Sequence, residues 1–137
     1  MTLVVDASVA VKWFVPEEGS QEAERLAAAQ DLHAPSLLRI EVGNVFRTLA
    51  ARGDLSENDA AEAMALLLAA PVSLHEPTDG LVTAALDLAL LLAHPIYDCL
   101  YLALALDLGA PLVTADARFH RAAAGTPELR GLVRLLR

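Results

Sequence analysis

Cysteine is nearly missing from this chain: Cys99 is the only one in 137 residues. No intrachain disulfide can form, which excludes a disulfide-framed secreted module and makes a reducing cytoplasm the expected compartment. One cysteine and four scattered histidines offer no zinc-site spacing. Aromatics are few, with one Trp, two Tyr and three Phe. Bases are also few: ten Lys and Arg stand against 18 Asp and Glu, for a net charge of −8. No Lys or Arg occurs between Arg52 and Arg118. That balance excludes nucleic-acid binding by bulk positive charge, but not an enzyme whose carboxylates hold cations. Long apolar runs are missing too, despite a mean hydropathy of +0.45. A membrane span needs about 20 mostly apolar residues, and here such runs are cut by Pro71, Asp87, Pro95, Asp98 and Asp107. The opening MTLVVDASVAVKW has no basic stretch before its apolar residues, so no signal peptide is expected.

What is present is an apolar, foldable chain: 55% hydrophobic and 20% charged residues exclude intrinsic disorder. No linker, repeat or low-complexity tract divides it, so residues 1–137 are expected to form a single domain. Leu3-Val4-Val5 is a short apolar run suited to a buried parallel strand. A short helix is expected from Ser8 to Val15, stopped by Pro16, and another from Glu17 to Gln30. Leu32 to Ala34 reads as a strand. Leu38, Val42, Val45 and Leu49 then recur at helical spacing up to Gly53. Ser56 with Asp59 resembles a helix cap, opening a helix that runs to Pro71. Val72 to His75 is a weak strand. Helices follow over about Asp79–Ala93 and Tyr97–Leu108, the second ending at Gly109. Leu112 to Ala115 and Gly131 to Leu135 complete the strands, with a short helix after Asp116. Short apolar strands alternating with helices predict an α/β fold, a three-layer α/β/α sandwich around a central parallel sheet.

In such sheets ligands bind beyond the carboxyl ends of the strands, which makes the position of four acids informative. Asp6 follows the first strand and Asp116 follows Leu112 to Ala115. Glu41 lies early in the helix after Pro35, and Asp98 in the first turn after Pro95. All four belong to the same sheet edge and sit in apolar surroundings, where an acid is costly to bury unless paired or bound to a metal. Asp98 could instead serve a helix dipole and Asp116 could cap the helix after it. Glu17, Glu18, Glu22, Glu24, Glu57 and Glu62 read as solvated helix faces.

Four segments, VVDASVAVKW, APSLLRIEVGNV, IYDCLYLALA and LVTADARF, resemble the PIN-domain family, and more narrowly the VapC-type toxins, the ribonuclease halves of bacterial toxin–antitoxin pairs. The likeness covers nearly the whole chain in order. It implies a metal-dependent endoribonuclease whose acidic, metal-holding site falls on Asp6, Glu41, Asp98 and Asp116. Ser8 and Thr114 fall where hydroxyls support that site, and Asn44 at a frequent asparagine of the glutamate helix. The resemblance also implies a cognate antitoxin and a homodimer. Phosphodiester hydrolysis needs a strong nucleophile and shielded phosphate charge, which Mg²⁺ or Mn²⁺ supplies when held by carboxylates. Lys12, Arg39 and Arg118 are candidate RNA phosphate contacts, and Trp13 or Phe14 candidate contacts for a partner helix. Cys99 reads as a core thiol, and His33, His75 and His94 as residues near element ends with no role. Two other readings are a PIN nuclease of RNA processing without a toxin role and a non-catalytic acidic interaction or receiver-like domain. A receiver-like domain needs adjacent acids after the first strand and a late-strand lysine, whereas here Asp6 stands alone there and Lys12 is the sole lysine.

Overall fold

The computed structural model describes residues 1–137. Five strands, β1 (Thr2–Val5), β2 (Asp31–Pro35), β3 (Val72–His75), β4 (Leu112–Thr114) and β5 (Val133–Leu135), form one sheet in the order β3-β2-β1-β4-β5. Every pairing is parallel, so each connection must cross over a face of the sheet, and helices do so. These are α1 (Ala7–Ala10), α2 (Ser20–Ala29), α3 (Leu37–Ala51), α4 (Glu57–Leu68), α5 (Asp79–Leu92), α6 (Ile96–Leu108) and α7 (Ala117–Ala124). The three-layer α/β/α architecture read from the strand–helix alternation is the one observed. No single helix is long and apolar enough to cross a membrane.

Strand alternation divides the core in two. Val4 of β1 points into a cluster of 23 buried residues drawn largely from α3 to α7. Leu3 and Val5 point to the other face, where Val9, Ala23, Leu32 and Val113 complete a cluster of six. The sheet is thus packed unequally, and α6 runs through the larger side. Cys99 to Ala105 are buried without interruption, because α6 lies between the sheet and α5. That explains why its sequence shows no polar face. Gly43 marks the closest approach of α3 and α4: a Cβ there would lie 2.5 Å from Met64 Cε.

Element boundaries differ from expectation in the first crossover. The stretch after Asp6 is one α-helical turn that tightens to a 3-10 turn over Val11–Trp13, and α2 starts at Ser20, after Gly19 at φ 88°. Lys12 causes much of this: its Nζ bonds Glu17 Oε1 at 3.1 Å and the Glu18 carbonyl at 2.6 Å, holding residues 17–19 in a turn rather than a helix. On the far side of α5, Val82, Leu86 and Leu90 form an exposed apolar stripe at four-residue spacing.

Ala93 ends α5 in the left-handed region (φ 50°, ψ 49°) and is the sole non-glycine residue with positive φ. An L-residue costs roughly 1–2 kcal/mol in that conformation, and glycine avoids the penalty. Ala93→Gly is therefore expected to raise stability by about 1 kcal/mol and Tm by about 2–4 °C. A thermal melt with unchanged or lower Tm would show that the turn is not strained.

Candidate active site

The carboxyl edge of the sheet carries the acids, and Asp6 is the most constrained of them. It ends β1, caps α1 and is 3% exposed. Its Oδ1 accepts hydrogen bonds from Ser8 Oγ (2.5 Å) and Val9 N (3.3 Å), and its Oδ2 from Thr114 Oγ1 (2.5 Å). Each hydroxyl is held in turn: Ser8 Oγ accepts from Ala115 N at 2.8 Å, and Thr114 Oγ1 from Asp116 N at 3.1 Å. This network ties β1 to the end of β4. Burial pushes the Asp6 pKa up to about 6, the two hydroxyls pull it down, and the charge on Asp98 adds to the rise.

Asp116 caps α7, its Oδ1 accepting from Arg118 N (2.9 Å) and Phe119 N (3.2 Å). The capping reading is therefore the one observed. Asp98, in the first turn of α6, meets His94 Nε2 through Oδ2 at 2.6 Å. One ligand atom each from His94, Asp98 and Asp116 lies within 4.8 Å of the others. Glu41 reaches the group from α3. Its pKa is raised by burial and by Asp98, with the Tyr101 phenol opposing. Glu41 Oε1 and Tyr101 Oη are both buried with no hydrogen-bond partner. Tyr101 is fully buried, and its ionisation is pushed far up by burial and then by Glu41, Asp6 and Asp98, so it stays a neutral hydroxyl.

The structure therefore brings Asp98 and Asp116 together with His94 and ties Asp6 to Ser8 and Thr114, while Asp6 and Glu41 are not members of that trio and are coupled to it through the charge of Asp98. Asn44 is exposed on α3, its carbonyl accepting from Thr48 Oγ1. Arg39 and Arg118 are exposed beside Glu41 and Asp116 and form no ion pair, whereas Lys12 is engaged by Glu17. Cys99 is fully buried and its thiol pKa is pushed up to about 11 by burial and by Asp98, consistent with a core residue. Sequence reasoning passed over Tyr101 and His94. Their signal is positional: Tyr101 lies one helical turn after Asp98, and His94 one turn before it across the Pro95 break.

The donor set fits a divalent ion, since two carboxylates and an imidazole lie within 4.8 Å of one another and a further carboxylate oxygen, Glu41 Oε1, is buried without a partner. In the metal-free chain these charges oppose one another. Removing the Glu41 charge while keeping its shape, as in Glu41→Gln, is expected to raise Tm by a few degrees in chelator at neutral pH. A raised folded pKa means that the penalty exists above that pKa and disappears below the unfolded value. The advantage of the variant should accordingly shrink as pH falls and the wild type takes up the proton. Melting curves at neutral and mildly acidic pH check this, and equal Tm values at neutral pH would show that Glu41 carries no such penalty.

Comparison with known proteins gives the family and the fold. The PIN domain family matches residues 3–125. Ribonuclease VapC3 of Pyrobaculum aerophilum is 39% identical over 121 residues, covering 85% of this chain and 90% of that protein. Ribonuclease VapC12 of Mycobacterium tuberculosis is 29% identical over 116 residues, covering 85% and 88%. Among solved structures, Mycobacterium tuberculosis VapC20, described as a Sarcin-Ricin loop cleaving toxin, superposes with a TM-score of 0.70 at 19% identity over 88% of this chain and 94% of that one. VapBC2 from Rickettsia felis, bound to a DNA fragment from its promoter, gives a TM-score of 0.70 at 14% identity, with both chains fully covered. Those two likenesses speak to the fold, and the family match together with VapC3 speaks to descent: the chain belongs to the PIN-domain family.

Proposed function

We propose that this chain is a divalent-metal-dependent endoribonuclease, acting in the cytoplasm as the toxin of a toxin–antitoxin pair. The observation that supports this reading is the grouping of Asp98 and Asp116 with His94, with Asp6 and Glu41 each feeling the charge on Asp98 and the Glu41 carboxylate holding a buried oxygen without a partner. The name of VapC3 supports the substrate class. Asp6, Glu41, Asp98 and Asp116 hold the ion, Mg²⁺ or Mn²⁺, which when bound polarises the phosphate and lowers the pKa of water. The rest is the work of the chain. Ser8 and Thr114 donate to Asp6 and keep both its oxygens in a fixed plane. Tyr101, neutral at all relevant pH, offers its O–H toward Glu41. Arg39 and Arg118 flank the acids and draw the RNA backbone, as two bases can in an otherwise anionic cleft.

The same reading assigns partners. An antitoxin would block the acids with a basic side chain and lay apolar residues in the groove lined by Trp13, Phe14, Ala27, Leu32 and Leu66, where the Trp13 and Phe14 rings meet edge to face. VapBC2 of Rickettsia felis is a precedent for such a pair in a protein of this fold. The unpartnered stripe Val82, Leu86, Leu90 suits a homodimer.

Purified chain free of antitoxin is expected to cut single-stranded RNA with Mg²⁺ or Mn²⁺ and to stop in chelator. Asp6→Asn should lose at least about 100-fold in kcat/KM, more than loss of an outer-shell partner costs. At sub-saturating metal, activity should fall as pH drops through about 6, because protons then compete with the ion for Asp6. Undiminished cleavage in chelator would remove the metal from the mechanism. A structure with the antitoxin should show an Arg or Lys among the four acids and apolar residues near Trp13 or Phe14. Leu90→Glu should sediment as a monomer where the wild type is a dimer. A partner seated on the opposite face, or a wild type that is monomeric, contradicts the respective assignment.

A further inference from the structure

His94 is a histidine that the acidic site does not require, yet the chain spends conformational energy to put it there. Ala93, in the strained left-handed conformation described above, turns the chain back at the end of α5. The amide of His94 then donates to the Ala89 carbonyl at 3.1 Å, and Pro95 opens α6 immediately after it. The imidazole is not a loose surface group. Its side chain is 10% exposed, and its ring lies 4.7 Å, centroid to centroid, from the fully buried Phe119 of α7. Phe119 itself follows Asp116 by three residues and donates its amide to it. The ring is therefore held by Phe119 on one side, with Nε2 aimed at Asp98 Oδ2 (2.6 Å). Strain kept at one turn, and a clamped ring, are the marks of a side chain whose position matters.

Support of Asp98 by a single hydrogen bond would account for the short contact alone. It does not account for the placement of His94, Asp98 and Asp116 with one ligand atom each inside a 4.8 Å circle, which is the disposition of a three-residue cation site. We propose that His94 Nε2 is itself a ligand of the divalent ion, so that the centre is a mixed nitrogen–oxygen site selective for Mn²⁺ over Mg²⁺. The inference rests on the metal-dependent reading given above and deepens it. Mg²⁺ takes oxygen ligands and keeps its waters, whereas Mn²⁺ shares its liking for carboxylates but accepts an imidazole nitrogen more readily than Mg²⁺ does. To serve as a ligand, Nε2 would present its lone pair to the ion in place of its present contact with Asp98 Oδ2.

The test is pulsed electron paramagnetic resonance of Mn²⁺ added to the purified full-length chain, with binding affinities for Mn²⁺ and Mg²⁺ measured alongside. The expected result is a ¹⁴N coupling on the bound Mn²⁺ that disappears in His94→Gln. The Mn²⁺-to-Mg²⁺ affinity ratio should fall about tenfold or more in that variant. Should His94→Gln fail to fold, the triple variant His33→Asn, His75→Asn, His120→Asn decides, since only His94 then remains; the coupling must survive in it. Mn²⁺ that binds and is lost in Asp98→Asn, but shows no ¹⁴N coupling, overturns the inference and leaves the metal-dependent reading standing. A coupling that persists in folded His94→Gln overturns it as well. A wild type that binds neither ion overturns both.

Discussion

Everything at the working edge of this fold depends on keeping one carboxylate buried at the end of the central strand. Asp6 continues β1, the strand that lies between β2 and β4, so it cannot turn to solvent without breaking the sheet. Its charge is tolerable only because two hydroxyls and one amide point at it. Each of those hydroxyls is oriented by an amide just beyond β4. The interaction that satisfies Asp6 is thereby also the one that fixes where Asp116 leaves the sheet. A substitution at Ser8 or Thr114 would thus disturb Asp6 and the exit of Asp116 from the sheet at once, though neither residue is itself an acid.

Parallel topology supplies the remaining acids. Strands that all run the same way end at the same edge, and the helices that follow them begin there. Asp6 and Asp116, 110 positions apart, reach this edge because β1 and β4 end there, and Glu41 because α3 follows β2, whereas α6 follows α5 and not a strand, so Asp98 is brought beside Asp116 by the break between those two helices. The asymmetry of the core matters as well. With α6 buried along Cys99 to Ala105, its first turn is held rigidly, and Asp98 and Tyr101 inherit that rigidity. A site on loops would hold four like charges less firmly, since each could swing into water to escape its neighbours.

The alternation of short apolar runs with helical periodicity made the layers, the parallel sheet and the four acids legible from sequence, because each depends on local pattern plus one topological rule. What escaped depends on tertiary contact. The helix read from Glu17 begins at Ser20, since Lys12 captures the Glu18 carbonyl and Glu17, a long-range tie that no periodicity reveals. Lys12 looked available for RNA for the same reason. Tyr101 sits in a run that reads as uniform core, and nothing local says that its hydroxyl ends among Glu41, Asp6 and Asp98. His94 precedes a proline at a helix break and resembles punctuation, until the turn at Ala93 folds it back against Phe119.

The distribution of unfavourable features is itself informative. Of the three buried side-chain atoms without hydrogen-bond partners, two, Glu41 Oε1 and Tyr101 Oη, are at the acidic site. The one left-handed non-glycine residue directly precedes His94, and one of the two buried polar residues is Asp6, the other being the Thr114 that bonds it. Away from the cleft, α4 and α5 are capped in the ordinary way by Ser56 and Thr78. A sequence that obeys local rules across most of its length and breaks several within one cleft is carrying a cost there that folding alone does not explain. Binding of a cation would relieve much of that cost together: it would partner the orphaned oxygens, offset the crowding of charge around Asp98, and favour the ionised form of Asp6. The same act would then complete the fold and arm the site, so that metal affinity and local stability become a single quantity seen from two sides.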